Sequence, residues 1–495
     1  MLKATRRPRS LADLARAIGA DGFTGDAQVS AISFDHREVR EGDLFAALPG
    51  LNRHGADFAL EAAVAGASAF LTDPTGRDRC AELGLPVLVV DDPRSAMGLI
   101  AAELQGHPHE SMLTVGVTGT NGKTTTSHFI AAALEVSGYP PLLVGTVGSR
   151  LGSEEWPATR TTPEAPDLIS AMAGALERGG RALVTEVSSH ALVLGRVDGI
   201  KFDVAVFTNL TQDHLDFHQT MDSYYEAKAS LFTAERSKRA VICVDDEWGR
   251  RLASDCAVPH VTYSVSGPAD WSAEGIETLP GGQTAFTAHG PEGLLLPVVV
   301  GVPGDFNVAN ALAAIAASAE LGLHLPKAAG SLEHVTVPGR MERVSVGQDF
   351  VALVDYAHTP DAVERALAVG RTCASGRLIA VLGCGGDRDR GKRGPMGAAA
   401  GRLSDVVIVT DDNPRSESPS EIRAAILVGA REGEAVVLEI GNRLEAIHRA
   451  CSIARPGDCV IVLGKGHESG QEVAGVVTPF DDRKVMAEAI SAVFS

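Results

Sequence analysis

The sequence predicts an α/β protein of three domains. These are an N-terminal α/β unit over residues 1–105, a central parallel sheet of the phosphate-loop type over 106–337, and a C-terminal Rossmann-like, doubly wound sheet over 338–495. Three observations carry that reading. The chain has 495 residues, and domains of about 100–200 residues divide that length into two to four. Short apolar runs alternate with longer helix-forming stretches through the second and third segments, the pattern of parallel strands covered by helices. Glycine is abundant at 53 residues and aromatics are sparse at 5%, which suits many tight strand-to-helix turns.

Each segment follows from local pattern. In the first, Ser10 caps a short amphipathic helix, and apolar runs at Val29–Phe34, Ala69–Thr72 and Pro86–Val90 read as strands around an alanine-rich helix, Phe58–Ala67. Gly106 and Pro108 mark the first boundary. The second segment opens with the strand Leu113–Thr118 and a helix from Thr124 to Val136. It continues with strands at Ala182–Val187 and Val204–Asn209 and a helix at Ser223–Phe232. From Val261 to Gly301 short runs with Gly and Pro turns predict an antiparallel excursion, before an Ala-rich helix over Gly304–Leu321. The third segment has strands at Val351–Asp355, Leu378–Leu382, Val406–Thr410, Val436–Ile440 and Cys459–Leu463, with helices such as Asp361–Val369 and Glu421–Ala430 between them. Ligands of such sheets bind beyond the carboxyl ends of the strands, where Asp355, Gly383, Asp412 and Gly464 fall.

Composition narrows the function. A net charge of −19 opposes a broad basic face, so no nucleic-acid partner is expected, although a local basic pocket for a small anion is compatible. The longest apolar stretch, Leu294–Val302, is short and broken by Pro297, so no membrane insertion is expected. Seven scattered cysteines without CxxC spacing predict reduced, mostly buried thiols in a cytoplasmic protein. The arginines near the N-terminus precede no apolar leader core. Only nine lysines are present, so each one invites a separate look.

The sharpest motif is Leu113-Thr-Val-Gly-Val-Thr-Gly-Thr-Asn-Gly-Lys-Thr-Thr-Thr126. A buried strand runs into a glycine turn and then a helix, so backbone N–H groups and the helix N-terminus face a phosphate. Gly119, Thr120, Asn121, Gly122, Lys123, Thr124 and Thr125 form this ATP-binding loop. Lys123 is placed to reach the terminal phosphates and Thr124 to ligate Mg²⁺. Val117 stands where the strict motif has its first glycine. Glu186 ends a later apolar strand as a candidate metal ligand. Asp213, His214, Asp216 and His218 cluster after another and suggest phosphate or metal work.

With these come Glu186-Val-Ser-Ser-His-Ala-Leu192, Thr208-Asn-Leu-Thr-Gln-Asp-His-Leu-Asp-Phe-His218, Tyr225-Glu-Ala-Lys-Ala-Ser-Leu-Phe232 and Gly304-Asp-Phe-Asn-Val-Ala-Asn310. Gly339-Arg-Met-Glu342, Asp355-Tyr-Ala-His-Thr-Pro-Asp361, Gly383-Cys-Gly-Gly-Asp-Arg-Asp389 and Gly464-Lys-Gly-His-Glu468 follow in order. The series resembles the Mur ligase family over nearly the whole chain. Thr161-Thr-Pro-Glu164, Gly464-Lys-Gly-His-Glu468 and above all Asp412-Asn-Pro-Arg415 resemble its diaminopimelate-adding MurE branch.

The resemblance implies an enzyme of peptidoglycan synthesis, and so of cell-wall growth and division. ATP and Mg²⁺ would serve it, with UDP-N-acetylmuramoyl-L-alanyl-D-glutamate and meso-diaminopimelate as its other small-molecule partners, in a monomer. The chemistry would be an acyl phosphate attacked by an amine, which asks mainly for positioning and charge neutralisation. The implied catalytic set is Lys123, Glu186, His214 and Lys228. Thr124, Glu186, His214 and a carbamylated Lys228 would be the metal ligands, His214 helping to hold a second ion. Composition alone reads Lys228 as a solvent-facing lysine on an amphipathic helix. Asn310, Arg340 and Asp355 would complete the ATP site, and Asn307 and Asn310 also read as helix caps. The role of His358 is open. The UDP-linked dipeptide would meet Phe34, His36, Leu51, Asn52, Arg53, Thr161, Thr162, Ser188 and Arg196, with His36 standing where the family pattern has serine. Diaminopimelate would meet Arg388, Asp412, Asn413, Pro414, Arg415, Gly464 and Glu468, since a zwitterion needs a guanidinium fork and acceptors together. No role follows for Lys392 or Lys465, and the other five lysines read as surface residues. The alternatives are a lysine-adding or folylpolyglutamate-type ligase or, from another class, a phosphate-loop ATPase switch.

Overall fold

The computed structural model describes residues 1–50, 52–279 and 283–494. The chain divides into two compact units. One comprises Met1–Leu210, His218–Asp270 and Ala313–Ala328, and the other Thr211–Phe217, Trp271–Leu312 and Ala329–Ser495.

The first unit holds two larger sheets, beside a short antiparallel pairing of Arg9–Ser10 with Gln28–Val29. A five-stranded sheet has the order Phe23–Thr24, Val87–Val89, Ala67–Thr72, Asp43–Ala47, Ala31–Ser33, parallel except at the Phe23–Thr24 edge. Ser10 caps the Leu11–Ala17 helix, its hydroxyl accepting from the Asp13 N–H. The second sheet has a parallel core in the order Pro141–Val144, Ala182–Glu186, Leu113–Thr118, Phe202–Phe207, Ser237–Cys243, His260–Ser264. The apolar Leu113–Thr118 strand is flanked on both sides in register, Val117 facing Glu186 and Val206. This central position delivers the phosphate loop to the same sheet edge as Glu186. Two short strands, Ser149–Leu151 and Glu154–Trp156, extend the sheet antiparallel. They carry no periodic apolar run long enough to announce them.

The antiparallel excursion differs from expectation in its start. His260–Ser264 pairs parallel with Ser237–Cys243, because the helix Glu247–Asp255 makes a crossover between them. The antiparallel meander is Trp271–Thr278, Thr284–His289 and Leu295–Val300, in the second unit.

The main sheet of the second unit has the order Glu342–Arg343, Val351–Asp355, Cys459–Leu463, Leu378–Leu382, Val406–Val409, Val436–Glu439. All but the first strand run parallel. Its central strands are buried along their whole length, as both faces are helix-covered. Predicted element ends shift by one to four residues, as with Pro360–Cys373 and Pro419–Ala430. A hairpin, Gly470–Val473 with Val476–Pro479, follows the last central strand.

Candidate active site

The phosphate loop is laced to the neighbouring strand end. Asn121 N–H donates to Asn209 Oδ1 at 2.9 Å, Thr120 N–H to the Asn209 carbonyl at 2.9 Å, and Thr208 Oγ1 to the Asn121 carbonyl at 2.6 Å. Gly119 has φ 149°, and a Cβ there would collide with the Thr208 hydroxyl, so only glycine lets these segments meet. Gly122, at φ 85°, starts the Lys123–Val136 helix. Lys123 Nζ curls back to the carbonyls of Gly119 and Thr120, both at 2.9 Å. Thr124 and Thr125 are buried behind it.

Glu186 is 1% exposed and gathers several predicted residues. Its Oε2 accepts from Thr124 Oγ1 at 3.1 Å and from Thr146 Oγ1 at 3.0 Å, and its Oε1 from Thr146 N–H at 2.8 Å. Thr146 Oγ1 lies 3.2 Å from Thr161 Oγ1. Thr162 Oγ1 donates to the Glu186 carbonyl at 2.8 Å and accepts from Ser188 N–H at 3.1 Å. Thr124, Glu186, Thr161, Thr162 and Ser188 therefore form one hydrogen-bonded cluster.

Lys228 corrects its compositional reading: it is 1% exposed. The Met221–Ala229 helix, capped by Thr220, turns it inward. Its Nζ donates to the Gly119 carbonyl at 2.8 Å and sits over the Tyr224 ring, 4.7 Å from the centroid. Tyr224 OH in turn meets Thr120 Oγ1 at 3.1 Å, a contact the sequence motif did not announce.

A basic patch surrounds one buried acid. Glu164, 5% exposed, receives Arg160 at 2.7 Å, Arg196 at 2.9 Å and Arg94 at 3.0 Å. Burial draws the Arg196 pKa down while Glu164 draws it up, with a net fall. Arg94 and Arg160 were missed; no local motif links Arg94 to a glutamate 70 positions away.

In the same unit a cavity of about 430 Å³ is lined by Phe34, Asp35, His36, Arg37, Arg53 and Phe58 among others. His36 stacks flat on Phe58 at 4.5 Å, and the Arg53 guanidinium lies 4.4 Å from the same ring's centroid. The hydrogen bond from Arg37 holds the Asp35 carboxyl down to about 2. Asn52 is exposed, and Leu51 lies outside the described residues.

The second unit carries the remaining predicted residues. His214, at φ 54°, has Nε2 3.5 Å from its neighbour Asp213. Asn307 and Asn310 lie within the Asp305–Glu320 helix and are not caps. Asn307 Nδ2 donates to the Pro303 carbonyl at 2.7 Å, and Asn310 Nδ2 to Asn307 Oδ1 at 2.9 Å. Asp355 accepts from Met341 N–H at 2.7 Å and Ala357 N–H at 2.8 Å; burial raises its pKa against the pull of Arg340. The Arg340 guanidinium covers the Tyr356 ring at 4.5 Å and lines a second cavity, also about 430 Å³.

At the strand ends of this sheet, Asp412, Asn413 and Pro414 are buried and Arg415 half-buried. Arg415 takes φ 52°, its Nη1 donating to the Gly386 carbonyl at 2.7 Å and its Nε 3.5 Å from Glu472. Asn413 Nδ2 donates to Glu468 Oε2 at 2.8 Å. Gly464, at φ 114°, has no room for a Cβ beside the Asp412 carboxylate. The structure brings these residues together, whereas Arg388 is exposed on the neighbouring glycine-rich loop. Lys465, given no role from sequence, is fully buried among them.

Comparison with known proteins finds matches along nearly the whole chain. Residues 28–105 match the Mur ligase family, catalytic domain; residues 117–318 the Mur ligase middle domain; and residues 339–466 the Mur ligase, glutamate ligase domain. The chain is 54% identical over 489 residues to the UDP-N-acetylmuramoyl-L-alanyl-D-glutamate--2,6-diaminopimelate ligase of Streptomyces avermitilis, covering 97% of this chain and 96% of that one. A ligase of the same name from Geobacter metallireducens is 42% identical, over 97% of this chain and 98% of its own. A solved structure of that name superposes with a TM-score of 0.69 at 33% identity, covering 94% and 96% of the two chains. A MurF ligase of Thermotoga maritima in complex with ADP shares the fold, with a TM-score of 0.62 at 21% identity over 94% and 96%. Three α/β sheets, the phosphate loop and full-length relatives agree: the chain belongs to the Mur ligase family.

Proposed function

We propose that the chain is an ATP-dependent ligase of peptidoglycan synthesis that joins meso-diaminopimelate to the D-glutamate γ-carboxylate of UDP-N-acetylmuramoyl-L-alanyl-D-glutamate. The observation that carries this reading is the pairing of full-length relatives bearing that activity's name with the Asp412, Asn413, Arg415 and Glu468 cluster of this chain. The γ-phosphoryl of ATP passes to the γ-carboxylate, giving an acyl phosphate and ADP. The substrate amine then forms the C–N bond, loses a proton, and phosphate leaves.

Each residue set has a part in that scheme. The loop from Gly119 to Thr125 holds the triphosphate, and Lys123 swings from its own loop carbonyls to the terminal phosphates. Thr124 and Glu186, two buried oxygen donors 3.1 Å apart, suit a hard cation. They would hold one Mg²⁺ with Lys228 as a further ligand, His214 would help to hold a second, and the ions would supply neutralisation of phosphoryl charge. Lys228 would serve as a carbamate, which turns a buried cation into an acidic oxygen ligand. Arg340, Asp355 and Asn310 would take the rest of ATP. Phe34, His36 and Arg53 offer ring and guanidinium faces to a uridine diphosphate, and Arg196, Thr161, Thr162 and Ser188 bind the muramoyl dipeptide. With domain borders at 105/106 and 337/338, the UDP-dipeptide residues belong to the first and second domains, the ATP residues to the second and third, and the diaminopimelate residues to the third. Both ATP and a UDP-linked substrate place the reaction in the cytoplasm.

Phosphate release by the purified protein tests the reading. It should require the UDP-linked dipeptide and diaminopimelate together, with lysine and ornithine far poorer in parallel assays. Hydrolysis indifferent to both substrates would indicate an ATPase switch and overturn it.

A further inference from the structure

We infer that Lys465 is a positioning residue that sets amino-acid selectivity, through its grip on Asn413 and Glu468 and through the charge it adds beneath the substrate's far end. The inference rests on the reading above that Asp412, Asn413, Arg415 and Glu468 receive that end.

The geometry is specific. Lys465 is 0% exposed, although a lysine ammonium is costly to bury without partners. Its Nζ lies 3.0 Å from Asn413 Oδ1, 3.1 Å from Glu468 Oε2 and 4.0 Å from Asp412 Oδ1. An ammonium only donates, so Asn413 must turn its amide oxygen towards Lys465. That oxygen also accepts from the Glu472 N–H at 3.0 Å. The Asn413 NH₂ is thereby aimed at Glu468 Oε2, 2.8 Å away, and its second N–H stays available to a carboxylate. One buried cation thus settles the direction of the amide and the place of the acid. Gly464, immediately before it, keeps Asp412 close by lacking a Cβ.

Charge makes the same point. Asp412, Glu468 and Glu472, the last paired with Arg415, are negative, and Lys465, Arg415 and Arg388 are positive, so the six sum to zero. A neutral cluster suits a zwitterionic amino-acid end, which brings one ammonium and one carboxylate. Removing Lys465 leaves a net negative cluster, which suits an end bearing an ammonium alone. Lys465 therefore favours a substrate whose far end is itself an amino acid over lysine, whose far end is a bare amine. Selectivity of this kind comes as much from the misfit of the wrong ligand as from contacts to the right one.

The test measures kcat and KM for Lys465→Met with diaminopimelate and with lysine, beside Arg415→Lys as a control on the site. The expected result is a fall of about tenfold or more in the diaminopimelate-to-lysine ratio of kcat/KM, carried by KM for diaminopimelate. KM for ATP and for the UDP-linked dipeptide should stay within about twofold, and melting should confirm the fold. An unchanged ratio in a folded variant overturns the inference while Arg415→Lys still loses diaminopimelate. Equal losses with both amino acids, or a joint rise in KM for all three substrates, mark Lys465 as merely structural and also overturn it. If neither variant affects diaminopimelate, the site reading itself falls and the inference with it. Should Lys465→Met fail to fold, Lys465→Gln, which keeps a donor but no charge, is read by the same criteria.

Discussion

Buried cations define this protein at the scale of single residues. Lys228 and Lys465 are each at most 1% exposed, and both face oxygen atoms of loops that follow strand ends. An ammonium without such partners would cost several kcal/mol, so each is held by geometry that the loops must maintain. His358 shows the opposite solution. Burial, helped by the nearby Lys392, pushes its pKa down to about 4 from 6.5, while Asp213 pulls weakly upward and Arg340 weakly downward. Its Nδ1 is 2.9 Å from the Tyr356 carbonyl, so the neutral ring donates there. The unfolded chain therefore binds a proton at His358 before the folded one does. The stability set by this group is complete above about pH 6.5 and falls as the pH drops towards 4. His358→Asn should flatten the loss of melting temperature between those values relative to the parent. Asp355, whose pKa is raised, contributes equally to both proteins and cancels in the comparison. Parallel pH profiles would show that His358 is not buried in its neutral form.

At the scale of elements, a fully buried ion pair ties two helices of the second unit to the end of a central strand. Arg443 opens the Arg443–Ile453 helix and Asp482 opens the Asp482–Phe494 helix, and both side chains are fully buried. Arg443 Nε and Nη2 meet the two Asp482 oxygens at 2.7 Å each, and Nη2 also donates to the Leu463 carbonyl at 2.9 Å. The contact fixes the end of the Cys459–Leu463 strand, immediately before Gly464 and Lys465. Arg443→Met strands a buried carboxylate and should cost about 3–5 kcal/mol in urea unfolding. Replacing both partners, Arg443→Met with Asp482→Leu, should recover most of that loss, since neither charge is then left alone. A single variant losing less than about 1 kcal/mol would mean that water reaches Asp482. Strands and helices of this sheet were legible as apolar runs and amphipathic spacing. The Ser149–Leu151 and Glu154–Trp156 strands were not, because three residues carry too little period to distinguish them from a loop.

Over the whole molecule, seven thiols test how well burial is distributed. All are free; five are buried, and Cys256 and Cys373 are half-buried. Burial raises the pKa of every one, Cys80 to about 11 and Cys451 to about 12, so thiolate is scarce at neutral pH. A thiol reagent should label at most Cys256 and Cys373 in the native protein, and slowly, and all seven after denaturation. Fast native labelling of more sites would contradict the packing of both units. The net charge of −19 likewise takes its meaning from placement, since Arg94, Arg160 and Arg196 converge on the single acid Glu164. By itself the sequence determined the alternation of strands and helices, the phosphate loop and the order of the ligase motifs. All of these are written in neighbouring residues and follow from backbone period, glycine torsion and helix capping. Only the tertiary structure decided that Lys228 is buried, that Lys465 lies between Asn413 and Glu468, and that three arginines share one glutamate. Burial and charge pairing depend on segments far apart in the chain, and no local pattern specifies which of them meet.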